Sequence, residues 1–349
     1  VITRYVNTDS TAGGDGTTNA LTGANRAFAT LSEALTPYHA TTLSDQLRIY
    51  CAGVAPDPGV SASSDLDHVA WEFTTSPTNF VEVIGDNITG KWNVGAYRIE
   101  RTNSQGIYNQ YAAHVRLYNL QIMITATAGG PYHCFRLTTA NNDDSTGPVY
   151  HLFKNCIARR GPASTSGEVH GYVDNASPLG TGANYRVNCQ AIACTGVGAY
   201  ESAWDATHVF NYNCLAYACQ YGFIDPQAAY NCVAVLSTSN DFLVIGAANS
   251  NNASSDGSAP GSGSKINQVF TNTFVDAAGL DFHLRGTDTV LIDAGVSNPG
   301  AGLYSDDIDG QIRIGAWDIG PDEYTPPPPP PTPIRRGNRL RRRFVSQVD

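Results

Sequence analysis

Lysine is almost missing from this chain of 349 residues: it occurs at three positions, and methionine at one. Charged residues make up only 15% of the total, which disfavours a protein built from exposed amphipathic helices. No run approaches the roughly 18 apolar residues that a membrane-spanning helix needs. The opening Val1-Ile2-Thr3-Arg4 lacks a signal-peptide core; it reads as a start after methionine removal or as a mature end after cleavage. HxH, HExxH and CxxC patterns are absent. His39, His68, His114, His133, His151, His170, His208 and His283 are scattered, with no two within five residues of each other. That scatter argues against zinc and leaves no metal ligand set to name.

What the chain does hold is 34 glycines and abundant Asn, Thr and Ser, a composition suited to many short strands and tight turns. Eight cysteines are present, and four of them follow asparagine in one recurring phrase. It reads Asn155-Cys156-Ile157-Ala158, Asn188-Cys189-Gln190-Ala191, Asn213-Cys214-Leu215-Ala216 and Asn231-Cys232-Val233-Ala234, with weaker copies at Asn119-Leu120-Gln121-Ile122 and Asn272-Thr273-Phe274-Val275. Ala193-Cys194 and Ala218-Cys219 extend two of the copies at the same offset. The asparagines are spaced by 36, 33, 25, 18 and 41 residues.

A fixed phrase with inserts of variable length fits a solenoid whose coils differ only in their loops. Small Cys and Ala suit a narrow interior. Asparagine suits the bend before each strand, where it tolerates unusual backbone angles and can bond its equivalent one coil away. Cysteines on every rung would sit about 4.8 Å apart, so buried, reduced thiols fit better than disulfides. The expected fold is therefore all-β, a right-handed parallel β-helix. Arg26–Thr36 carries apolar residues at helical spacing and stops at Pro37, which predicts a short N-terminal capping helix. Tyr5-Val6-Asn7 and Gly13-Gly14-Asp15-Gly16 read as strand and turn, and residues 249–264 as a flexible loop on one coil.

Three domains are expected: the β-helix over 1–324, a polyproline linker over 325–333 and a basic tail over 334–349. The tail holds six of the 21 basic residues, Arg335, Arg336, Arg339, Arg341, Arg342 and Arg343. Its charge of +5 leaves −15 on residues 1–333, which together give the −10 of the whole. Those arginines, with Leu340 and Phe344, read as an anchor for other protein subunits on a stiff spacer.

The phrases Asp281-Phe282-His283-Leu284-Arg285, Leu291-Ile292-Asp293-Ala294-Gly295, Asp307-Ile308-Asp309-Gly310-Gln311-Ile312-Arg313 and Asp318-Ile319-Gly320-Pro321-Asp322-Glu323-Tyr324 resemble the closing segment of pectate-lyase-like β-helix proteins. The first strand and the Phe28–Leu35 helix resemble that superfamily's first coil. The resemblance covers about residues 1–324 and implies the fold. It leaves function open among lyases, hydrolases, adhesins, phage tailspikes and structural modules.

A lyase on this fold needs calcium-binding carboxylates and a base, for which Asp143, Asp144, Arg159 and Arg160 are the candidates. The carboxylates that hold calcium in the resembling lyases come from successive coils, and no such aligned set is present here. A glycosidase needs two carboxylates across a groove, for which Glu168, Asp174, Glu201 and Asp205 are candidates. Trp71, Trp92, Tyr200 and Trp204 are the aromatics that could stack on sugar rings. Asp306, Asp307 and Asp309 with Gly310 suggest calcium only superficially and read as a closing turn, and His283 reads as a packed histidine. Asn87, Asn175 and Asn252 begin glycosylation triplets of the kind chance supplies in such a composition. No motif reads bases and no heptad enforces an oligomer.

The leading expectation is a non-enzymatic structural component of a phage or virus particle, a fibre, spike or decoration fastened by its tail and exposed on the particle. The alternatives are a secreted or tailspike-type polysaccharide lyase or glycosidase, and a carbohydrate-binding surface protein without turnover.

Overall fold

A computed structural model describes residues 1–58, 73–109, 112–138, 150–175, 182–196, 200–202, 209–243 and 248–326. Its strands stack into three parallel sheets of nine, seven and six strands. One coil illustrates the plan. His114–Tyr118 belongs to the first sheet, Asn119 makes a bend, Gln121–Thr125 belongs to the second sheet, and Tyr132–Thr138 belongs to the third. The chain then returns to the first sheet at Tyr150–Lys154, one rung further along. This is a parallel β-helix.

The asparagines form the bend between the first and second sheets. Asn119, Asn155, Asn188, Asn213, Asn231 and Asn251 all have φ between 50° and 56°, a left-handed conformation that Asn adopts more readily than other side-chain-bearing residues. Backbone amides at the bend reach the next coil, as in Asn155 N–H to Val187 O at 3.0 Å and Asn188 N–H to Tyr212 O at 3.0 Å. Asn251 is thus the last rung. The copy at Asn272 is not a rung, because Phe274–Asp276 pairs antiparallel with Asp281–Leu284 in a hairpin outside the coils. Residues 249–264 are likewise not a loop: Ala248–Ser250 and Ala253–Ser254 continue the first and second sheets, with Ser262 and Lys265 bridged to them.

Inside the coils, like stacks on like. Phe135 lies on Tyr172 with centroids 4.9 Å apart, and Phe223 on Phe242 at 4.8 Å. Ala158, Ala191, Ala216 and Ala234 are in register. All eight cysteines are free and buried. Seven of these thiols donate to nearby carbonyls, as Cys189 Sγ does to Val187 O at 3.3 Å. Burial pushes the Cys134 thiol up to about 12 and raises those of Cys156 and Cys214.

The N-terminal helix is shorter than the apolar pattern predicts, Leu31–Leu35 followed by a 3-10 turn through Pro37. Phe28 is drawn into pairing with the first strand instead, its N–H donating to Tyr5 O and its carbonyl accepting from Asn7. Thr30 caps the helix by accepting from Glu33 N–H, and Glu33 reaches back to Ala29 N–H at 2.8 Å, a reciprocal arrangement that satisfies otherwise orphaned amides. Leu31, Ala34 and Leu35 are buried against the first coils.

The closing segment, residues 285–324, runs as a strap beside the asparagine bends. Side-chain amides of four rungs donate to it: Asn251 to Ala294 O, Asn231 to Val296 O, Asn213 to Asp318 O and Gly320 O, and Asn188 to Asp306 O, at 2.8–3.0 Å. The rung-to-rung bond expected from the sequence is present from Asn188 to Asn155 at 3.1 Å and, longer, from Asn231 to Asn213 at 3.4 Å. Tyr304 and Trp317 of the strap cover Leu152, Val187 and Tyr212 on the outer face of the first sheet. Among the described residues no helix is long and apolar enough to cross a membrane.

Candidate functional site

The corner between the second and third sheets holds a groove of about 550 Å³ lined by Gly129, Gly130, Pro131, Arg160, Gly167, Glu168, Thr195 and Gln220. These residues come from the same bend on four successive coils. With coils about 4.8 Å apart the groove extends roughly 14 Å along the solenoid axis. Its floor is backbone because glycine is required there. A Cβ on Gly130 (φ 112°) would lie 2.9 Å from Glu168 N, and one on Gly167 (φ 81°) 2.6 Å from Gly129 O.

The lining is polar and incompletely satisfied. Among the described residues, the buried Arg160 Nε and Thr195 Oγ1 have no hydrogen-bond partner, while Arg160 Nη2 holds Ser164 O loosely at 3.4 Å. Buried polar atoms left so carry a cost. Glu168 is exposed, with its carboxylate 3.6 Å from His170 Nε2. His170 stacks on His133, with centroids 4.9 Å apart. Burial, with His170 and Arg136 nearby, pulls His133 down to about 2, so it is neutral and accepts or donates without charge.

The other candidates fall elsewhere. Asp174 lies in the strand Val169–Asn175, six positions beyond Glu168, which separates their Cα atoms by roughly 20 Å along an extended chain. Glu201 is in register with Val173, and Ser202 with Asp174, so Asp174 and Glu201 occupy different register positions. The side chains of Asp174, Tyr200 and Glu201 lie outside the described set, as do Asp143, Asp144, Asp205, Trp71, Trp204 and the anchoring residues Arg335, Arg336, Arg339, Leu340, Arg341, Arg342, Arg343 and Phe344. Arg159 turns away from the groove and sits over Trp92 at 5.4 Å, so that tryptophan is packed against a cation. Asn87 and Asn252 are buried and donate to Lys91 O and Ala229 O, which removes them as glycosylation acceptors in the folded chain.

A second polar cluster joins the strap to the body. Asp306 turns away from Asp307 and Asp309: it pairs with Lys154 at 2.6 Å, while Asp307 accepts the amides of Asp309, Gln311 and Glu323. The closing-turn reading of these residues holds, and they do not form one calcium loop. Asp309 instead faces His283, whose Nδ1 is 2.6 Å from Asp281 Oδ1 and whose Nε2 is 3.6 Å from Asp309 Oδ2. His283, Asp309 and Asp322 offer ligand atoms all within 4.8 Å of one another, a group able to hold a metal ion. Asp309 raises His283 to about 9, with Asp322 and Asp281 adding to it. Burial, then Asp309, lifts Asp307 to about 8. Scattered spacing hid this group, since its members are 26 and 13 residues apart.

No protein-family model matches the chain. No curated protein matches it. Among solved structures it is similar to pectate lyase Pel9A, with 13% identity and a TM-score of 0.43 over 93% of this chain and 97% of that one. The likeness is distant.

Proposed function

We propose that this β-helix binds an extended polysaccharide along the corner groove and does so without cleaving it. The observation that carries the reading is a polar trough, lined by Arg160, Glu168, Thr195 and Gln220 over a glycine floor, that follows the solenoid axis. Sugar hydroxyls suit a polar lining of this kind, and a linear glycan matches a trough built from equivalent bends. Glu168 is the one acid among the described lining residues. Glycoside hydrolysis needs a second carboxylate roughly 5–10 Å away, and Asp174 is roughly twice that distance along the strand. A panel of anionic and neutral polysaccharides tests the reading: retention with no new reducing ends or unsaturated uronates is expected. Product formation would favour the lyase or glycosidase reading, and absence of retention would remove the glycan altogether.

A second reading concerns attachment and rests on the sequence of residues 326–349. Six consecutive prolines followed by six arginines within nine residues form a stiff spacer and a cationic hook. They suit a structural component of a particle, such as a phage fibre or decoration, that presents the groove outward. Deleting 326–349 should release the chain from its assembly while leaving it folded, and retained incorporation would end this reading.

A further inference from the structure

We propose that His283, Asp309 and Asp322 bind a divalent first-row transition-metal ion of the Zn²⁺ type, which pins the strap to the hairpin strand Asp281–Leu284. The three come from separate pieces of chain: the hairpin strand Asp281–Leu284, and, in the strap, the turn at 306–313 and the final stretch at 318–324.

The donor arrangement favours an ion over a simple ion pair. Asp281 Oδ1 takes the Nδ1 side of the imidazole at 2.6 Å, and its Oδ2 is held by Lys91 Nζ at 2.8 Å. That is the carboxylate–histidine relation that turns the opposite ring nitrogen into a metal ligand. Nε2 then faces Asp309 Oδ2 across 3.6 Å, too far for a hydrogen bond. Two ligands each about 2.1 Å from a tetrahedral ion stand roughly 3.4 Å apart. The third member is held in place by the backbone. Asp322 is 4% exposed, and its Oδ2 accepts Leu284 N–H at 2.6 Å, which fixes the carboxylate toward the hairpin strand that carries His283. A carboxylate so buried is costly unless it is hydrogen-bonded or meets a cation.

Charge points the same way. Asp281, Asp309 and Asp322 gather around one imidazole, and the neighbouring Lys91 is engaged by Asp281. One imidazole with carboxylates suits Zn²⁺ or Mn²⁺ better than Ca²⁺, which prefers six to eight oxygens. Gly90 keeps the floor of the cluster open, since a Cβ there would lie 2.6 Å from His283 Nε2.

The test uses the full chain, stripped with a chelator and titrated calorimetrically with Zn²⁺, Mn²⁺ and Ca²⁺, with thermal melting alongside. One Zn²⁺ or Mn²⁺ per chain and a higher Tm on loading are expected. His283→Gln and Asp309→Asn should each weaken binding at least tenfold, whereas Asp45→Asn, far from the cluster, should not. Asp281→Asn, which leaves all three ligands in place, should weaken it about 10–100-fold. If the ligand variants fail to fold, an anomalous-scattering map at the zinc edge on the unaltered protein decides: a peak between His283, Asp309 and Asp322 supports the site. No stoichiometric binding, a preference for Ca²⁺, binding indifferent to the variants, or a peak elsewhere would overturn it.

Discussion

Arg313 Nη2 donates to Asn188 Oδ1 at 3.2 Å, joining residues 125 positions apart. The guanidinium side chain is fully buried, pairs with Glu323 Oε2 at 3.2 Å, and also donates to the carbonyls of Gly320 and Pro321. It occupies the point where the asparagine ladder is broken between Asn188 and Asn213, so one arginine both interrupts the ladder and attaches the strap to it.

Arg313→Met should therefore destabilise the fold by about 3–5 kcal/mol, because Glu323 and several carbonyls are left buried without their donor. Arg313→Lys should recover only part, since one ammonium cannot reach partners arranged around a planar fork. Chemical denaturation of both variants, with limited proteolysis of the strap, measures this.

The ladder itself separates backbone from side-chain effects. Asn213→Ala loses the bonds to Asp318 O and Gly320 O and also leaves a Cβ residue at φ 51° without the local side-chain contacts of Asn. Asn213→Gly loses the bonds but tolerates the angle. The alanine variant should be less stable than the glycine variant by about 1 kcal/mol, and equal stabilities would mean that the bend is not what the asparagine is there for.

These bends were also the most legible feature of the sequence. Asn155, Asn188, Asn213 and Asn231 repeat because each must hold the same left-handed angle beside a small thiol. Asn251 escaped notice because Asn252, not cysteine, follows it in a Ser/Gly-rich stretch, and Asn272 misled because Thr273-Phe274-Val275 alternates like a rung while pairing in a hairpin. The groove was partly visible. Thr195 and Gln220 each follow an Ala-Cys pair at the same offset, yet Gly129, Gly130 and Arg160 carry no shared phrase. The His283 cluster was not legible, because its members meet only when the strap folds back.

All eight thiols are buried, and burial holds those of Cys134, Cys156 and Cys214 protonated. Thiol reagents should label none of the cysteines in the native protein and all eight after denaturation, without prior reduction. Rapid labelling of any cysteine in the folded chain would contradict the packing of the rungs.

Acid should weaken the fold through two histidines. Burial pulls His133 to about 2, helped by His170 and Arg136, and His151 to about 4, with His114 adding to it. Both lie below the value of 6.5 expected in the unfolded chain, so the unfolded state takes up protons that the native state refuses. Their contribution is complete above about pH 6.5 and falls progressively as pH drops toward 4, by a few kcal/mol in total. Denaturation midpoints across that range should decline, and less steeply for His133→Gln.

Binding at the corner groove is tested most directly by hydrogen exchange with and without a retained polysaccharide, on the unaltered chain and on Arg160→Ala. Slowed exchange confined to residues 129–131, 160–168, 195 and 220, and absent in the variant, is the expected result. Unchanged exchange at those residues, or protection on another face that survives the substitution, would contradict it.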